Sequence, residues 1–205
     1  MSNGSRPSQP LFSQDEIARV KQSILARGDP LVERDYLMVA LGINSFLRGC
    51  DLVRLTVGDV MEGGRYKQDV RITTTKTGKV AEFYVNDSIR LALDRYFCKY
   101  PQAKLDSNAF LFFATQGARI LWHKHLETAS VGRMIRLWCH NVGLKGSYGS
   151  HTLRKTGATQ WYRAGESIES IQMKLTHSSQ STAATRAYLG ITRSSIRERE
   201  AAINL

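Results

Sequence analysis

The stretch His151-Thr152-Leu153-Arg154-Lys155-Thr156 is the most informative part of the sequence. At helical spacing, His151 and Arg154 lie three residues apart and share one face of the helix. A histidine can accept or donate a proton near neutral pH, and the planar guanidinium of an arginine matches the oxygens of a phosphate. The stretch therefore favours a helix that carries a site for phosphate transfer. The alternative interpretation is an ordinary capped helix start.

A second stretch, Leu175-Thr176-His177-Ser178-Ser179, adds another histidine, and Tyr188 follows it. A tyrosine hydroxyl can act as a covalent nucleophile where nearby cations stabilise its phenolate. Tyr188 is therefore a candidate nucleophile. A half-buried aromatic residue on a helix is the more ordinary interpretation of the same position.

Two stretches nearer the start of the chain supply cations. Arg48 lies between apolar helical segments, where an unpaired charge is costly, so it indicates a function or an ion pair with Asp51. Lys76 and Lys79 lie at the tip of a predicted β-hairpin, where a lysine can reach into a DNA groove or deliver a proton. Solvated turn residues are the alternative interpretation of both lysines.

Composition sets the broad class. The chain has 205 residues and a formal net charge of +11, which fits one domain and a polyanionic partner, either nucleic acid or an acidic membrane surface. A basic structural protein is the remaining alternative. No apolar run is long enough to span a bilayer, and three widely spaced cysteines do not indicate a disulfide framework, so we expect a reducing cytoplasm.

The patterning predicts an α+β fold that is mostly helical with a small antiparallel sheet or hairpin. We expect a disordered leader over residues 1–12, one domain over 13–190, and a C-terminal tail over 191–205 that could dock on a neighbouring protomer. The Ser13–Glu16 capping box opens the first helix. The expected helices are 13–28, 31–45, 49–55, 86–100, 128–142, 151–164, 167–175 and 182–189, and the expected strands are 70–75 and 80–85.

Taken together and in this order, the stretches resemble the boxes of the tyrosine recombinases, the phage integrase family. The family's first box, apolar-Arg-x-x-acidic-Leu, stands here as Leu47–Leu52, and its hairpin Lys-Thr-Gly stands as Lys76–Gly78. Its second box, His-x-Leu-Arg-His/Lys-Thr, is residues 151–156. In beginning almost at the catalytic domain, the chain is similar to the short fimbrial-inversion recombinases, which lack an N-terminal DNA-binding domain.

The resemblance implies a site-specific recombinase that cuts and rejoins double-stranded DNA through a 3′-phosphotyrosyl intermediate, with no cofactor and no metal. It also implies a homo-tetramer on paired DNA sites, accessory DNA-bending proteins and a cytoplasmic, nucleoid-associated location. Lys79 and Lys155 are expected to bind DNA. The catalytic set carried over from the family is Arg48, Lys76, His151, Arg154, His177 and Tyr188.

The chain departs from the family pattern at three points. Thr176 replaces the usual glycine before His177, and Phe46 stands where a glycine is common before Arg48. The interval from His177 to Tyr188 is 11 residues, two longer than usual, which leaves open whether Tyr188 serves its own site or a neighbour's. A catalytically silent DNA-binding regulator and a type IB-like topoisomerase are the alternative functions.

Overall fold

The computed structural model describes residues 7–177, 182–191 and 197, and it confirms the predicted α+β fold. A short 3-10 helix, Pro101–Leu105, and nine α-helices lie within these residues: α1 Gln14–Leu25, α2 Val32–Asn44, α3 Gly49–Leu52, α4 Val57–Val60, α5 Asp87–Lys99, α6 Thr128–Asn141, α7 Thr152–Arg163, α8 Ile168–Lys174 and α9 Ala183–Leu189. The strands are β1 Met61–Glu62, β2 Arg65–Tyr66, β3 Asp69–Thr73, β4 Val80–Tyr84, β5 Phe113–Gln116 and β6 Arg119–His125.

Helix α1 begins as predicted. The Ser13 side chain accepts a hydrogen bond from the backbone of Glu16, and the Glu16 carboxylate accepts one from the backbone of Ser13. This pair satisfies two N–H groups that the first turn leaves without helical partners. Ile17, Val20 and Ile24 form the buried stripe of the helix.

Helix α2 forms the centre of the fold, because residues 37–41 are completely buried and the helix packs against α1, α5 and α7. Two glycines allow α2 and α7 to approach closely. A β-carbon at Gly42 would lie 2.6 Å from Leu153 Cδ1, and one at Gly157 would lie 2.1 Å from the carbonyl oxygen of Ile43. The crossing sets Arg154 beside the C-terminal end of α2.

The predicted basic hairpin is formed by β3 and β4, which pair antiparallel with Asp69 opposite Tyr84 and Thr73 opposite Val80. The turn between them carries Lys76 and Lys79. Two further hairpins, β1–β2 and β5–β6, were not predicted. Strands β1 and β2 have only two residues each, too few to show an alternating pattern.

The buried apolar side chains form two groups of different size. The large core contains 39 of the described residues and runs from α1 to α7. The small cluster has four buried members, Phe46, Ala158, Ile171 and Leu175, and half-buried Trp161, Tyr162, Tyr188 and Leu189 pack against it. Helices α8 and α9 therefore join the fold mainly through the small cluster.

Residues 7–12 differ from the predicted leader. Leu11 is 1% exposed, and its backbone N–H donates to Thr156 Oγ1 at 2.9 Å. The Gln9 side chain donates to Tyr148 Oη. A polar composition indicates little burial, but here a single apolar side chain and backbone hydrogen bonds hold the segment against α7. The predicted tail lies outside the described residues apart from Ile191 and Arg197.

Within the part of the chain that the structure describes, no helix combines the length and the apolar character needed to cross a membrane.

Candidate active site

Arg154 is the most deeply buried cation of the site, at 4% exposure on the first turn of α7. Its guanidinium donates from Nη1 to the Phe46 carbonyl at 2.7 Å and from Nη2 to the Leu175 carbonyl at 2.5 Å. Burial lowers the pKa of the Arg154 guanidinium from its usual value. The two carbonyl acceptors fix the plane of the guanidinium between the end of α2 and the end of α8.

Arg48 immediately precedes α3 and is half-buried. Its Nη1 lies 3.5 Å from Thr176 Oγ1, and no carboxylate of the described residues forms an ion pair with it. The alternative interpretation, an ion pair with Asp51, is therefore not what the structure has. A guanidinium without a carboxylate partner remains available for an anion.

Asp51 instead connects α3 to the lysine hairpin. The carboxylate is 2% exposed, and its Oδ1 accepts from the Thr75 backbone N–H at 2.8 Å and from Thr75 Oγ1 at 2.7 Å. Thr75 immediately precedes Lys76, so Asp51 fixes the base of the turn that carries this lysine. Its other oxygen, Oδ2, is buried and accepts no hydrogen bond from the described residues.

The two hairpin lysines are exposed and lie near the other site residues. Lys79 Nζ lies 3.5 Å from the Thr176 carbonyl oxygen. The charge of Lys76 is close enough to His151 to contribute to lowering the pKa of that histidine. The hairpin therefore lies over the same face of the molecule as α7 and the loop after α8.

His151 is the residue that caps the N-terminus of α7, and it is exposed where Arg154 is buried. His151 and Arg154 are therefore neighbours on the helix, but one is exposed to solvent and the other is buried. The spacing alone did not predict this difference in exposure. Partial desolvation lowers the pKa of His151, and the charges of Arg154, Lys155 and Arg48 lower it further. The neutral imidazole is thus favoured, and that form can accept a proton.

His177 follows a tight helix end. Its backbone N–H donates to Gln172 O at 3.1 Å, and that of Thr176 donates to Met173 O at 2.9 Å, which is the Schellman pattern. The His177 Nδ1 atom lies 3.0 Å from Thr185 Oγ1. Burial, with Arg154, Arg48 and Lys79, lowers the pKa of His177 to about 4.

Tyr188 lies on α9 with its hydroxyl directed into this site. Oη is buried and lies beside the Arg154 guanidinium, without a hydrogen bond of normal geometry to the described residues. The ring packs edge-on against His177 at 5.5 Å between centroids, and Lys155 Nζ lies 4.9 Å from the ring centre. Burial raises the pKa of Tyr188 to about 12, opposed by the positive charges of Arg154 and Arg48.

Although Tyr188 follows His177 by 11 positions, it lies in the site of its own chain. Residues 178–181 of that interval lie outside the described residues, but both ends are placed: His177 contacts Thr185 and Tyr188 on α9. Lys155, which was predicted to bind DNA, is half-buried against the tyrosine ring. The structure thus brings Arg48, Arg154, His177, Tyr188 and Lys155 together, with His151 and Lys76 beside them.

The two departures from glycine share one backbone conformation. Phe46 and Thr176 are the two non-glycine residues with positive φ in the described ranges, at +58° and +51°. Glycine is the residue that adopts this conformation without steric cost, which explains why glycine is common at both positions. Phe46 is also held by its ring, which packs on Trp161 at 5.0 Å between centroids.

Comparison with known protein families agrees with the geometry of the site. The phage integrase family description matches residues 11–193, nearly the whole of the described domain. The chain belongs to the phage integrase family. Its fold is that of a tyrosine recombinase catalytic domain, an enzyme of site-specific DNA recombination.

Individual recombinases support the same assignment. The chain is 31% identical over 183 residues to the probable integrase/recombinase YoeC of Bacillus subtilis, covering 89% of this chain and 90% of that protein. It is 29% identical to the tyrosine recombinase XerC of Caldanaerobacter subterraneus, covering 82% of this chain and 44% of XerC. The crystal structure of the XerH recombinase bound to difH DNA has a TM-score of 0.71 and 19% identity, covering 97% of this chain and 53% of that chain.

Three residues of the site were not predicted to have a role. Asp51 appeared in the sequence only as a possible ion-pair partner, and its true partner, Thr75, gave no signal of its own. Thr185 lies within a polar stretch with no periodic pattern, yet it is fully buried against His177. The acidic position of the first box was the one available signal, because a carboxylate three residues after a functional arginine suggests a supporting role.

Proposed function

We propose that this chain cleaves and rejoins DNA strands with Tyr188 as the nucleophile. Tyr188 Oη attacks a backbone phosphorus, the bond from phosphorus to the 5′-oxygen breaks, and a 3′-phosphotyrosyl link forms. A 5′-hydroxyl then attacks the same phosphorus and releases the tyrosine, so the energy of the bond is kept throughout. The observation that carries the proposal is the burial of Oη beside Arg154, with Arg48 close enough to favour its ionised form.

The two arginines are suited to bind the non-bridging oxygens of that phosphate. Arg154 is oriented by carbonyls at 2.7 Å and 2.5 Å, and Arg48 has no carboxylate partner among the described ion pairs. Donors that are already oriented where negative charge develops stabilise the transition state without reorganisation. A phosphate held there would also reduce the repulsion between the two positive charges.

Three further groups are suited to move or hold protons. The high pKa of Tyr188 means that the hydroxyl must lose a proton as it attacks, and neutral His151 is able to relay that proton. We assign protonation of the departing 5′-oxygen to Lys76, on the exposed hairpin turn. His177, neutral at physiological pH because its pKa is lowered to about 4, is assigned a hydrogen bond to the phosphate.

Double-stranded DNA is the partner that the charge and the relatives support. The chain carries a net charge of +11, and XerH was crystallised with its difH substrate after cleavage. Lys79 and Lys155 are the cations we assign to the DNA backbone near the site. We also propose that four copies act on two paired sites, with DNA-bending proteins where the sites require them, on DNA in the cytoplasm.

A covalent-trapping experiment tests the nucleophile. The protein is incubated with nicked duplexes carrying a randomised core, in the presence of a chelator, and the products are separated under denaturing conditions. We expect a protein–DNA adduct that is abolished by Tyr188→Phe and retained by the control Tyr162→Phe. We expect Tyr188→Phe to fold, because the buried hydroxyl that it removes forms no hydrogen bond of normal geometry with the described residues.

Two outcomes would overturn the proposal. DNA binding without any adduct would indicate a catalytically silent regulator. An adduct that persists in Tyr188→Phe would assign the reaction to another residue. Relaxation of a supercoiled plasmid that carries no recombination site, without strand exchange between two sites, would instead indicate a topoisomerase.

A further inference from the structure

Thr176 holds a backbone conformation that its side chain disfavours. Its φ of +51° lies in the left-handed region, which is sterically unfavourable for a residue with a β-carbon and not for glycine. Thr176 is the first residue after the C-cap of α8 in a Schellman motif, a position where glycine is preferred. Strain retained next to a functional site suggests that the strained side chain contributes something there.

The backbone of Thr176 does not explain why threonine is present. The Schellman hydrogen bonds, the Leu175 carbonyl that accepts from Arg154, and the Thr176 carbonyl near Lys79 are all main-chain groups. Glycine would supply every one of them without strain. The hydroxyl is therefore the group that distinguishes threonine from glycine in the described contacts of this position.

The hydroxyl contacts one of the two phosphate-binding arginines. Thr176 Oγ1 lies 3.5 Å from Arg48 Nη1, a long hydrogen bond in which the guanidinium donates. Arg154 is oriented by two carbonyls, whereas Arg48 has this single acceptor among the described side-chain contacts. A long arginine side chain without such a contact samples several rotamers, and that freedom is lost only when substrate binds.

We propose that Thr176 is a positioning residue that holds the Arg48 guanidinium toward the scissile phosphate before DNA binds. This inference rests on the proposed function of Arg48. The Thr176 hydroxyl orients the Arg48 guanidinium, as the two backbone carbonyls orient that of Arg154. The strained backbone of Thr176 is therefore retained because its hydroxyl orients the Arg48 guanidinium.

The decisive comparison is Thr176→Gly against Thr176→Ser. Glycine relieves the strain and removes the hydroxyl, so we expect a higher denaturation midpoint together with cleavage about tenfold slower, the loss typical of one hydrogen bond to a charged group. Serine retains the hydroxyl and should restore the rate to within about twofold. DNA affinity should change little in either variant, because it depends on many phosphate contacts.

The rate is measured in single turnovers on the nicked duplex selected by the trapping experiment. A Thr176→Gly variant that is stabilised and cleaves as fast as the unaltered protein would overturn the proposal. So would a Thr176→Ser variant as slow as Thr176→Gly, because the hydroxyl would then not be the group that matters.

A second readout does not depend on cleavage. In protein labelled with ¹⁵N-arginine and free of DNA, we expect restricted rotation of the Arg48 guanidinium in the unaltered protein and in Thr176→Ser, and free rotation in Thr176→Gly. Equal mobility in all three proteins would overturn the positioning role. If the unaltered protein forms no adduct while the mobility difference is present, the proposed function fails and the contact itself stands.

Discussion

The two halves of the site are supported by unequal amounts of core. Arg48, which precedes α3, and Asp51, which lies on it, are at the edge of the large core of 39 described residues. His177 and Tyr188 instead depend on helices that pack on a cluster with four buried members. Buried apolar area is the main source of local stability. The half of the site that carries Arg48 and Asp51 is therefore fixed more firmly than the half that carries the attacking hydroxyl.

This difference suits an enzyme whose tyrosine reacts only when DNA is bound. The attacking hydroxyl is buried and un-ionised in the free chain, with a pKa of about 12. Elements of low local stability are the ones that move during function. Arrival of DNA would then adjust α9 against a preformed pair of arginines, with no need to rebuild the whole domain.

The strongest test of the firmly held half removes the hairpin lysine. Lys76→Ala should slow cleavage by about 10²- to 10⁴-fold, the usual contribution of a positioned general acid. Asp51→Asn should slow cleavage by a smaller factor through the same step, since Asp51 fixes Thr75 beside that lysine. A substrate with sulfur in place of the 5′-oxygen needs no protonation on leaving, so it should restore both variants.

The lysine Lys99, exposed at the end of α5, provides the matched control, and Lys99→Ala should cleave both substrates normally. Failure of the sulfur substrate to restore Lys76→Ala would show that the lysine acts in binding and not in proton transfer. Restoration of Lys76→Ala alone would separate Asp51 from the hairpin.

A pair of cavity-forming variants compares the two halves directly. Leu41→Ala in α2 should lower the global free energy of unfolding by about 2–5 kcal/mol, because Leu41 is fully buried in the large core. Ile171→Ala, equally buried in the small cluster, should leave the global transition less affected and release α8 and α9 locally. Denaturation by urea and amide hydrogen exchange measured residue by residue distinguish these two effects.

If both variants lowered the global transition equally, with no local increase in exchange at α8 and α9, the two groups of side chains would form a single cooperative unit. The proposed difference between the two halves would then be wrong.

The smallest expected effect is a pH dependence of the weaker half. His177 has a pKa of about 4 in the folded chain against about 6.5 in an unfolded one, so the unfolded state binds the proton more readily. Its contribution therefore destabilises the fold as the pH falls from 6.5 toward 4, and it is absent above that range. Replacing His177 with glutamine should flatten this slope in urea titrations at several pH values.

His140→Gln, at an exposed position on α6, serves as the control and should keep the slope of the unaltered protein. A slope that survives in His177→Gln would assign the effect to another group, with His151 the first candidate, because its pKa is lowered as well.

The elements with long periodic patterns or clear caps could be predicted from the sequence. Helices α1, α5 and α6 and the β3–β4 hairpin agree with the predictions to within about three residues. The β5–β6 hairpin could not be predicted, because β6 carries three consecutive apolar residues, Ile120 to Trp122, and lacks the apolar–polar alternation that indicates a strand.

The candidate site was predictable as a set of residues but not as an arrangement. The chemistry of Arg48, His151 and Tyr188 could be inferred from residue type and order. That Arg154 would be fixed by two carbonyls depends on backbone geometry. So does the binding of Asp51 to Thr75, which leaves Arg48 without an ion pair among the described residues. The consequence of placing Phe46 and Thr176 at positive φ also required the structure.

Gly42 and Gly157, where α2 and α7 cross, differ in how readily each could be substituted during evolution. A β-carbon at position 42 would lie 2.6 Å from Leu153 Cδ1 and 2.9 Å from Leu153 Cβ, so glycine at 153 could compensate for it. One at position 157 would meet the backbone oxygen of Ile43, for which no substitution offers compensation. Position 42 is thus open to paired change over evolutionary time, whereas position 157 is closed, because widening the crossing would carry Arg154 away from the Phe46 carbonyl.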